Sequence, residues 1–301
     1  MMAASNDYQL KGILQVNEPM AKHTSWRVGG LVDQLYTPAN IDDLADFLKN
    51  LPKNEPIMFL GLGSNLLVRD GGIRGTVISL KGSLSDITLL ESNVIRAGAG
   101  VSCAKLSRFC HRNNLIGGEF FAGIPGLLGG ALAMNAGAFG GETWGVIETV
   151  TTIDRLGNLF IRSPKDFDVS YRSVKTDRRE WFLSADIKLA IGDGKAAAQN
   201  VKMLLDKRNQ TQPTGLPSCG SVFKNPQDDY AARLIEASDL KGCRIGDAVV
   251  SEKHANFIIN DGKASASDIE NLMRLVQETV EQKHNVKLQT EVKIVGEFAD
   301  E

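Results

Sequence analysis

Gly117-Gly118-Glu119-Phe120-Phe121-Ala122-Gly123-Ile124-Pro125-Gly126-Leu127-Leu128-Gly129-Gly130-Ala131-Leu132-Ala133-Met134-Asn135-Ala136-Gly137-Ala138-Phe139-Gly140-Gly141 is the stretch on which the reading of the fold turns. Nine of these 25 positions are glycine, where average usage near 7% gives about two. The remainder is apolar or small, so the segment is no solvated linker. From Phe120 to Gly141 it carries no charge for 22 residues, about the length of a bilayer span. Glycine at this density, with Pro125 and Asn135 inside, breaks a continuous helix, and no Lys or Arg cluster flanks the segment. No membrane attachment is expected. Glycine permits φ > 0 and the close approach of another backbone or a flat ligand. Such a segment suits the wall of a cavity for an extended cofactor, or else a tightly packed helix–turn region of a core.

Upstream, helix and strand signals alternate. Asn40 is placed to cap a helix whose apolar face is Ile41, Leu44, Phe47 and Leu48. Pro56 to Leu60 reads as a short buried strand, and Leu66 to Val68 and Thr76 to Ile78 as further strands about the turn Asp70-Gly71-Gly72. Between the first two lies Gly61-Leu62-Gly63-Ser64-Asn65-Leu66. A dinucleotide fingerprint needs a third glycine where Leu66 stands, and a helix directly after it. A strand-like run follows instead, which argues against that site. The turn can still receive an anion on its backbone N–H groups, or it is an ordinary tight turn. Asn93 to Ala97 is strand-like, and a helix opens at Ser102 with Leu106, Phe109 and Cys110 on one face.

Downstream, Val146 to Ile153 and Asn158 to Ile161 form a hairpin pattern about Gly157, and Trp181 to Leu189 is a strand. After Gly192-Asp193-Gly194 a helix runs through Ala197, Val201 and Leu204-Leu205 into the loop Gln212 to Pro217, so a domain boundary is expected near residues 195–210. Tyr230 to Ala237 is helical. Ser267-Asp268-Ile269-Glu270 has capping-box spacing and opens a helix with Ile269, Leu272, Met273, Val276 and Val280 inward. In the tail, Val286, Leu288, Val292 and Ile294 share one strand face, with Lys287, Gln289, Glu291 and Lys293 on the other. The chain is α+β, without repeats.

Composition narrows the function classes. Of 301 residues, 43% are hydrophobic and 23% charged, ordinary values for a chain of two or three domains. Thirty-four basic against 36 acidic residues leave a net charge of −2, with no basic stripe, so nucleic acid is not an expected partner. Cys103, Cys110, Cys219 and Cys243 form no C-x-x-C pair, which argues against zinc and fits a reduced, cytoplasmic protein. Met1 to Pro19 lacks the apolar run of a signal peptide. Ser218-Cys219-Gly220-Ser221-Val222-Phe223-Lys224-Asn225-Pro226 sets hydroxyls, a glycine bend, a cation and an amide together. No His lies nearby, and nothing around Cys219 suggests an activated thiol. Arg172, in Val169-Ser170-Tyr171-Arg172-Ser173, and Glu291, on the polar face of the tail, are by themselves ordinary surface charges.

Taken in order, Gly61 to Val68, Ala122 to Gly126, Met134 to Ala138, Ser170-Tyr171-Arg172, Gly220 to Pro226 and Glu291-Val292 resemble the UDP-N-acetylenolpyruvoylglucosamine reductase family. Each motif alone is weak; the ordered set, from about Thr24 to Gly296, is specific. The resemblance implies an FAD-binding domain of the vanillyl-alcohol-oxidase (PCMH) type and a C-terminal α/β substrate domain. It divides the chain into 1–80 (completed by 293–301), 81–205 and 206–292. It implies non-covalent FAD held by Gly61, Gly63, Ser64, Asn65, Leu66, Gly123, Ile124, Pro125, Gly126, Gly130, Asn135, Ala136 and Gly137. Ser221, Arg172 and Glu291 become the catalytic set, with Lys224 and Asn225 on the substrate. The implied activity is NADPH-dependent reduction of UDP-N-acetylglucosamine enolpyruvate to UDP-N-acetylmuramate in peptidoglycan precursor synthesis, by a cytoplasmic monomer. Only short spacing separates Arg172 from Trp181, so the chain is similar to the family's short form, which lacks a tyrosine-bearing loop. Two alternatives stand beside it. One is another FAD-dependent oxidase of the same fold; the other is a non-catalytic nucleotide-binding protein.

Overall fold

The computed structural model describes residues 10–91 and 93–299; the reading of residues 1–9 as free of a signal peptide lies outside the described residues. The described chain falls into two compact units built from non-contiguous pieces. One holds Gln34–Gly61, Gly75–Gly194 and the described part of Met1–Val16. The other holds Asn17–Asp33, Leu62–Arg74 and the described part of Lys195–Glu301.

In the first unit the helix Ile41–Asn50 begins where the Asn40 side chain accepts from Asp43 N at 2.9 Å. That bond satisfies one of the four N–H groups a helix start leaves open. Leu44, Phe47 and Leu48 are buried, as the periodicity requires. The strand Ile57–Leu60 pairs in parallel with Thr76–Ser79 of the strand Ile73–Ser79. A five-stranded antiparallel sheet follows in the order Leu159–Arg162, Ile147–Asp154, Glu180–Lys188, Val94–Gly98, Ile87–Glu91. Its buried face carries Ile95, Ala97, Val150, Ala185 and Ile187, packed with Leu106, Phe121 and Leu132.

The glycine-rich stretch breaks up as its composition demands. It forms a 3-10 turn Glu119–Gly123, a six-residue helix Leu128–Ala133, and two short antiparallel strands, Gly137–Ala138 and Gly141–Glu142. Among the described residues no helix is long and apolar enough to cross a membrane.

The second unit centres on the helix Ala266–His284 and the antiparallel strands Arg244–Ile245, Ala248–Val250 and Ile258–Asn260. Ile269, Leu272, Met273, Val276 and Val280 are buried, as expected. Residues from the start of the chain complete this core. Trp26 is fully buried, its indole N–H donates to Ile258 O at 2.7 Å, and Asn260 Nδ2 returns a bond to Trp26 O at 2.9 Å.

Two local expectations are corrected. The capping box is Ser265 with Asp268: Ser265 Oγ accepts from Asp268 N, and Asp268 Oδ2 accepts from Ser265 N, both at 2.9 Å. Ser267 and Glu270, which have the same spacing, are taken by other partners. Ser267 donates to Asp70, and Glu270 receives a bidentate Arg69 at 2.9 Å on each oxygen. In the tail, a regular strand exists only over Lys293–Val295, because only there does it find a ladder partner, the parallel strand Leu66–Val68. Leu288 and Val292 are buried on the expected face, held by single bonds instead of a ladder.

Asp70 reaches the helix start from outside, accepting from Ala266 N and Ser267 N at 2.9 Å each. With the capping box this satisfies four N–H groups and sets a carboxylate against the positive helix end. Replacing Asp70 by Ala is expected to lower stability by about 1–2 kcal/mol, the usual worth of a cap. Urea denaturation followed by circular dichroism measures this; an unchanged midpoint would contradict it.

Candidate functional site

The loop Gly61 to Leu66 leaves the strand Ile57–Leu60 and enters the strand Leu66–Val68, so no helix follows the glycines. Gly63 adopts φ +61°, and a Cβ there would sit 2.1 Å from His23 O. Only glycine fits. Among the described residues, the N–H groups of Gly61, Leu62, Gly63 and Ser64 donate to no protein acceptor. A run of N–H groups that meet no protein acceptor is the arrangement that receives a phosphate. Asn65 points elsewhere: its Nδ2 donates to Glu291 O at 3.1 Å.

Ser221 sits just after Gly220, whose φ is +71° and which has nothing within 4 Å of a would-be Cβ. The residues behind it are fixed. Val222 N donates to Asn256 O, Phe223 N to Asn256 Oδ1, and Asn256 Nδ2 returns to Phe223 O at 2.8 Å. Glu291 N donates to Val222 O at 2.8 Å, which lays the Glu291 segment against the Ser221 segment. The structure therefore brings these two residues together within one unit. Both are half-buried. Lys224 is tied to the same tail, its N–H reaching Gln289 O at 2.8 Å. The Asn225 carboxamide oxygen accepts from Ala231 N at 3.1 Å, so part of this side chain serves the start of the helix Ala231–Ala237.

Arg172 belongs to the first unit. It occupies the tight turn between the strands Asp168–Ser170 and Ser173–Lys175, at φ +52°, and its Nη2 donates to Gly137 O at 2.9 Å. Asn135, also at positive φ, is 2% exposed. Its Nδ2 donates to Glu142 Oε2 at 2.9 Å and Ser170 O at 3.3 Å, and its Oδ1 accepts from Trp144 N at 3.1 Å. Asn135 and Gly137 thus hold the hairpin that bears Arg172. Beside them opens a cavity of about 490 Å³ lined by Asn135, Glu142, Trp144, Phe167, Asp168 and Tyr171. Elsewhere in this stretch, Gly123 would bring a Cβ to 2.6 Å from Ala138 Cβ, whereas Gly130 faces open space. Ile124 and Ala136 are buried, Gly126 accepts from Cys103 N at 3.0 Å, and Pro125 is exposed.

Sequence reasoning missed Asn256 and Glu142, which fix Ser221 and Asn135. Asn256 left one signal, a lone amide inside the apolar run Ala255 to Ile259. Glu142 left none.

The open N–H groups at Gly61 to Ser64 fit the anionic middle of a dinucleotide. In keeping with this, residues 32–160 match the family described as "FAD binding domain". The class is therefore a flavoprotein with an FAD-binding domain. Residues 212–295 match the family described as "UDP-N-acetylenolpyruvoylglucosamine reductase, C-terminal domain". A protein of Alkalilimnicola ehrlichii named UDP-N-acetylenolpyruvoylglucosamine reductase is 57% identical over 99% of both chains. One of the same name from Legionella pneumophila is 54% identical over 98% of this chain and 96% of its own. The solved Thermus caldophilus reductase superposes with a TM-score of 0.79 at 30% identity, covering 94% of this chain and 98% of that one. The chain belongs to the UDP-N-acetylenolpyruvoylglucosamine reductase family.

Cys219 is no rival nucleophile. It is 3% exposed, and burial pushes its thiol up to about 12. Cys103 and Cys110 are likewise buried and raised to about 12. In mildly alkaline buffer, a thiol reagent is expected to label Cys243 alone in the native protein and all four cysteines after unfolding. Rapid native labelling of a second cysteine, located by peptide mass, would contradict this burial.

Proposed function

We propose that this chain reduces UDP-N-acetylglucosamine enolpyruvate to UDP-N-acetylmuramate, with NADPH as reductant and non-covalently held FAD as carrier. The observation that carries the reading is the bond from Glu291 N to Val222 O, which sets one hydroxyl and one carboxyl group on adjoining segments. A weak acid beside a second proton-handling group is what protonation of a carbanion-like carbon requires.

FAD would be held by Gly61, Gly63, Ser64, the main chain of Asn65, and Leu66, by Gly123 to Gly126 and Gly130, and by Asn135 to Gly137. Bound there, it supplies the hydride that no side chain can. Hydride arrival at C3 of the enolpyruvyl group leaves negative charge on C2 and its carboxylate. The guanidinium of Arg172, whose Nη2 donates to Gly137 O, would stabilise that charge. Ser221 delivers the proton to C2. Glu291 assists as the protonated acid or through a water, since a bare carboxylate would oppose the charge. Lys224 and Asn225 hold the substrate. NADPH loses one hydride, and the substrate gains one hydride and one proton.

The same reading assigns 1–80 with 293–301, then 81–205, to FAD, and 206–292 to substrate; the pairing of Lys293–Val295 with Leu66–Val68 supports the first grouping. This chain supplies every residue named, which fits a monomer. UDP-sugar, NADPH and unpaired cysteines fit the cytoplasm.

Ser221→Ala is expected to leave reduction by NADPH nearly intact and to slow reoxidation by the enolpyruvyl substrate about 10²–10⁴-fold, the usual worth of a positioned acid. Stopped-flow spectroscopy follows both half-reactions; reoxidation at the normal rate would remove Ser221 from this role. The oxidase alternative has its own mark. Oxidases that attach FAD through histidine retain it after acid precipitation, whereas here His23, His111, His254 and His284 all lie outside the two glycine loops, and complete release is expected.

A further inference from the structure

We infer that the Asn65 carboxamide is a positioning residue for Glu291, so that the phosphate-receiving loop itself aligns the proton-delivery pair. This rests on the role proposed above for Glu291. Asn65 was expected to serve the cofactor. Its side chain reaches across 226 positions of sequence to donate from Nδ2 to Glu291 O at 3.1 Å. Its own carbonyl accepts from Lys293 N, also at 3.1 Å.

One residue thus grips the tail at two points, on either side of Val292. A main chain held at positions 291 and 293 has little freedom to rotate about Val292, which is itself 3% exposed. The direction in which the Glu291 side chain leaves the backbone is then set by Asn65. Glu291 N carries the constraint onward to Val222 O at 2.8 Å, one residue from Ser221. A separate tie runs from the same loop to the same segment. Cys219 Sγ lies 3.6 Å from Gly63 O and 3.5 Å from Leu66 O, two residues before Ser221. The loop Gly63 to Leu66 therefore touches the segments bearing both groups, by bonds that use its carbonyls and the Asn65 carboxamide. The N–H groups of Gly61 to Ser64 stay available to an anion. The two tasks fall on opposite hydrogen-bonding groups of one loop.

Proton transfer demands hydrogen-bond range, and a misplacement of about 1 Å can cost on the order of 10²-fold in rate. Asn65→Ala removes the grip on Glu291 O and leaves every backbone N–H of the loop in place. Asn65→Ser does the same with a smaller change in polarity and guards against misfolding of the alanine variant. In both, kcat at saturating FAD is expected to fall about 10–100-fold. The KM for NADPH, and the affinity of the apoprotein for FAD measured by flavin fluorescence quenching, should stay within about threefold of the original. Amide hydrogen exchange at Glu291 and Val292 should quicken in the apoprotein.

The deciding comparison is a double-mutant cycle with Glu291→Gln. On that background Asn65→Ala should cost no more than about twofold, because the group it positions is already altered. Independent, multiplying effects would overturn the inference while leaving Glu291 in its role. Loss of FAD affinity in both Asn65 variants, with kcat restored by excess FAD, would overturn it by returning Asn65 to the cofactor. A Glu291→Gln enzyme of normal rate would instead sink the reading of Glu291 on which the inference stands.

Discussion

The second unit depends on the parallel pairing of Leu66–Val68 with Lys293–Val295. Parallel strands cannot be joined by a tight turn, and here more than 220 residues intervene. Closing so long a loop costs little more than closing a moderate one, since each doubling adds only about 0.6 kcal/mol. The offset comes from packing. Leu67 is fully buried in the same core as Trp26, Val222, Phe223, Met273 and Val292. One consequence is chemical. The strand that follows the Glu291 segment and the strand that follows the phosphate loop are neighbours, so backbone order at one is backbone order at the other.

In the first unit a comparable economy operates around Asn135. A buried amide in a left-handed conformation joins the short strand at Gly137 to the hairpin bearing Arg172, and Glu142 supplies the acceptor that keeps it there. Glycine does the remaining work by absence. At Gly63 and Gly123 another part of the chain occupies the space of a side chain, while at Gly130 the space is open. Glycine content alone does not separate these uses; the neighbours do.

Much of this was legible in the residues. Period and capping placed the helices Ile41–Asn50 and Cys103–Arg112, because their apolar faces and polar starts agree with each other, and period alone placed Ala266–His284. Leu66 in place of a third glycine announced a strand after the loop, and a strand follows. Local spacing misled where long-range partners compete. Arg69 and Asp70 draw Glu270 and Ser267 away from the capping box they could have formed. The tail alternates over the nine residues 286–294 yet ladders for three, because alternation reports burial and a ladder needs a partner strand. The two asparagines of the glycine motifs were read as ligands by their company, and nothing in their spacing showed that their carboxamides also bond to Glu291 O and Glu142. Which way an amide turns is a tertiary fact.

The account comes down to whether this fold couples NADPH to one particular ether. The direct measurement is NADPH oxidation by the purified yellow protein, with and without UDP-N-acetylglucosamine enolpyruvate, followed to completion. The account predicts that sustained oxidation requires the sugar nucleotide, with one NADPH consumed for each UDP-N-acetylmuramate formed. Oxidation that proceeds equally without the substrate, or a colourless protein that binds the nucleotide and turns nothing over, would contradict it.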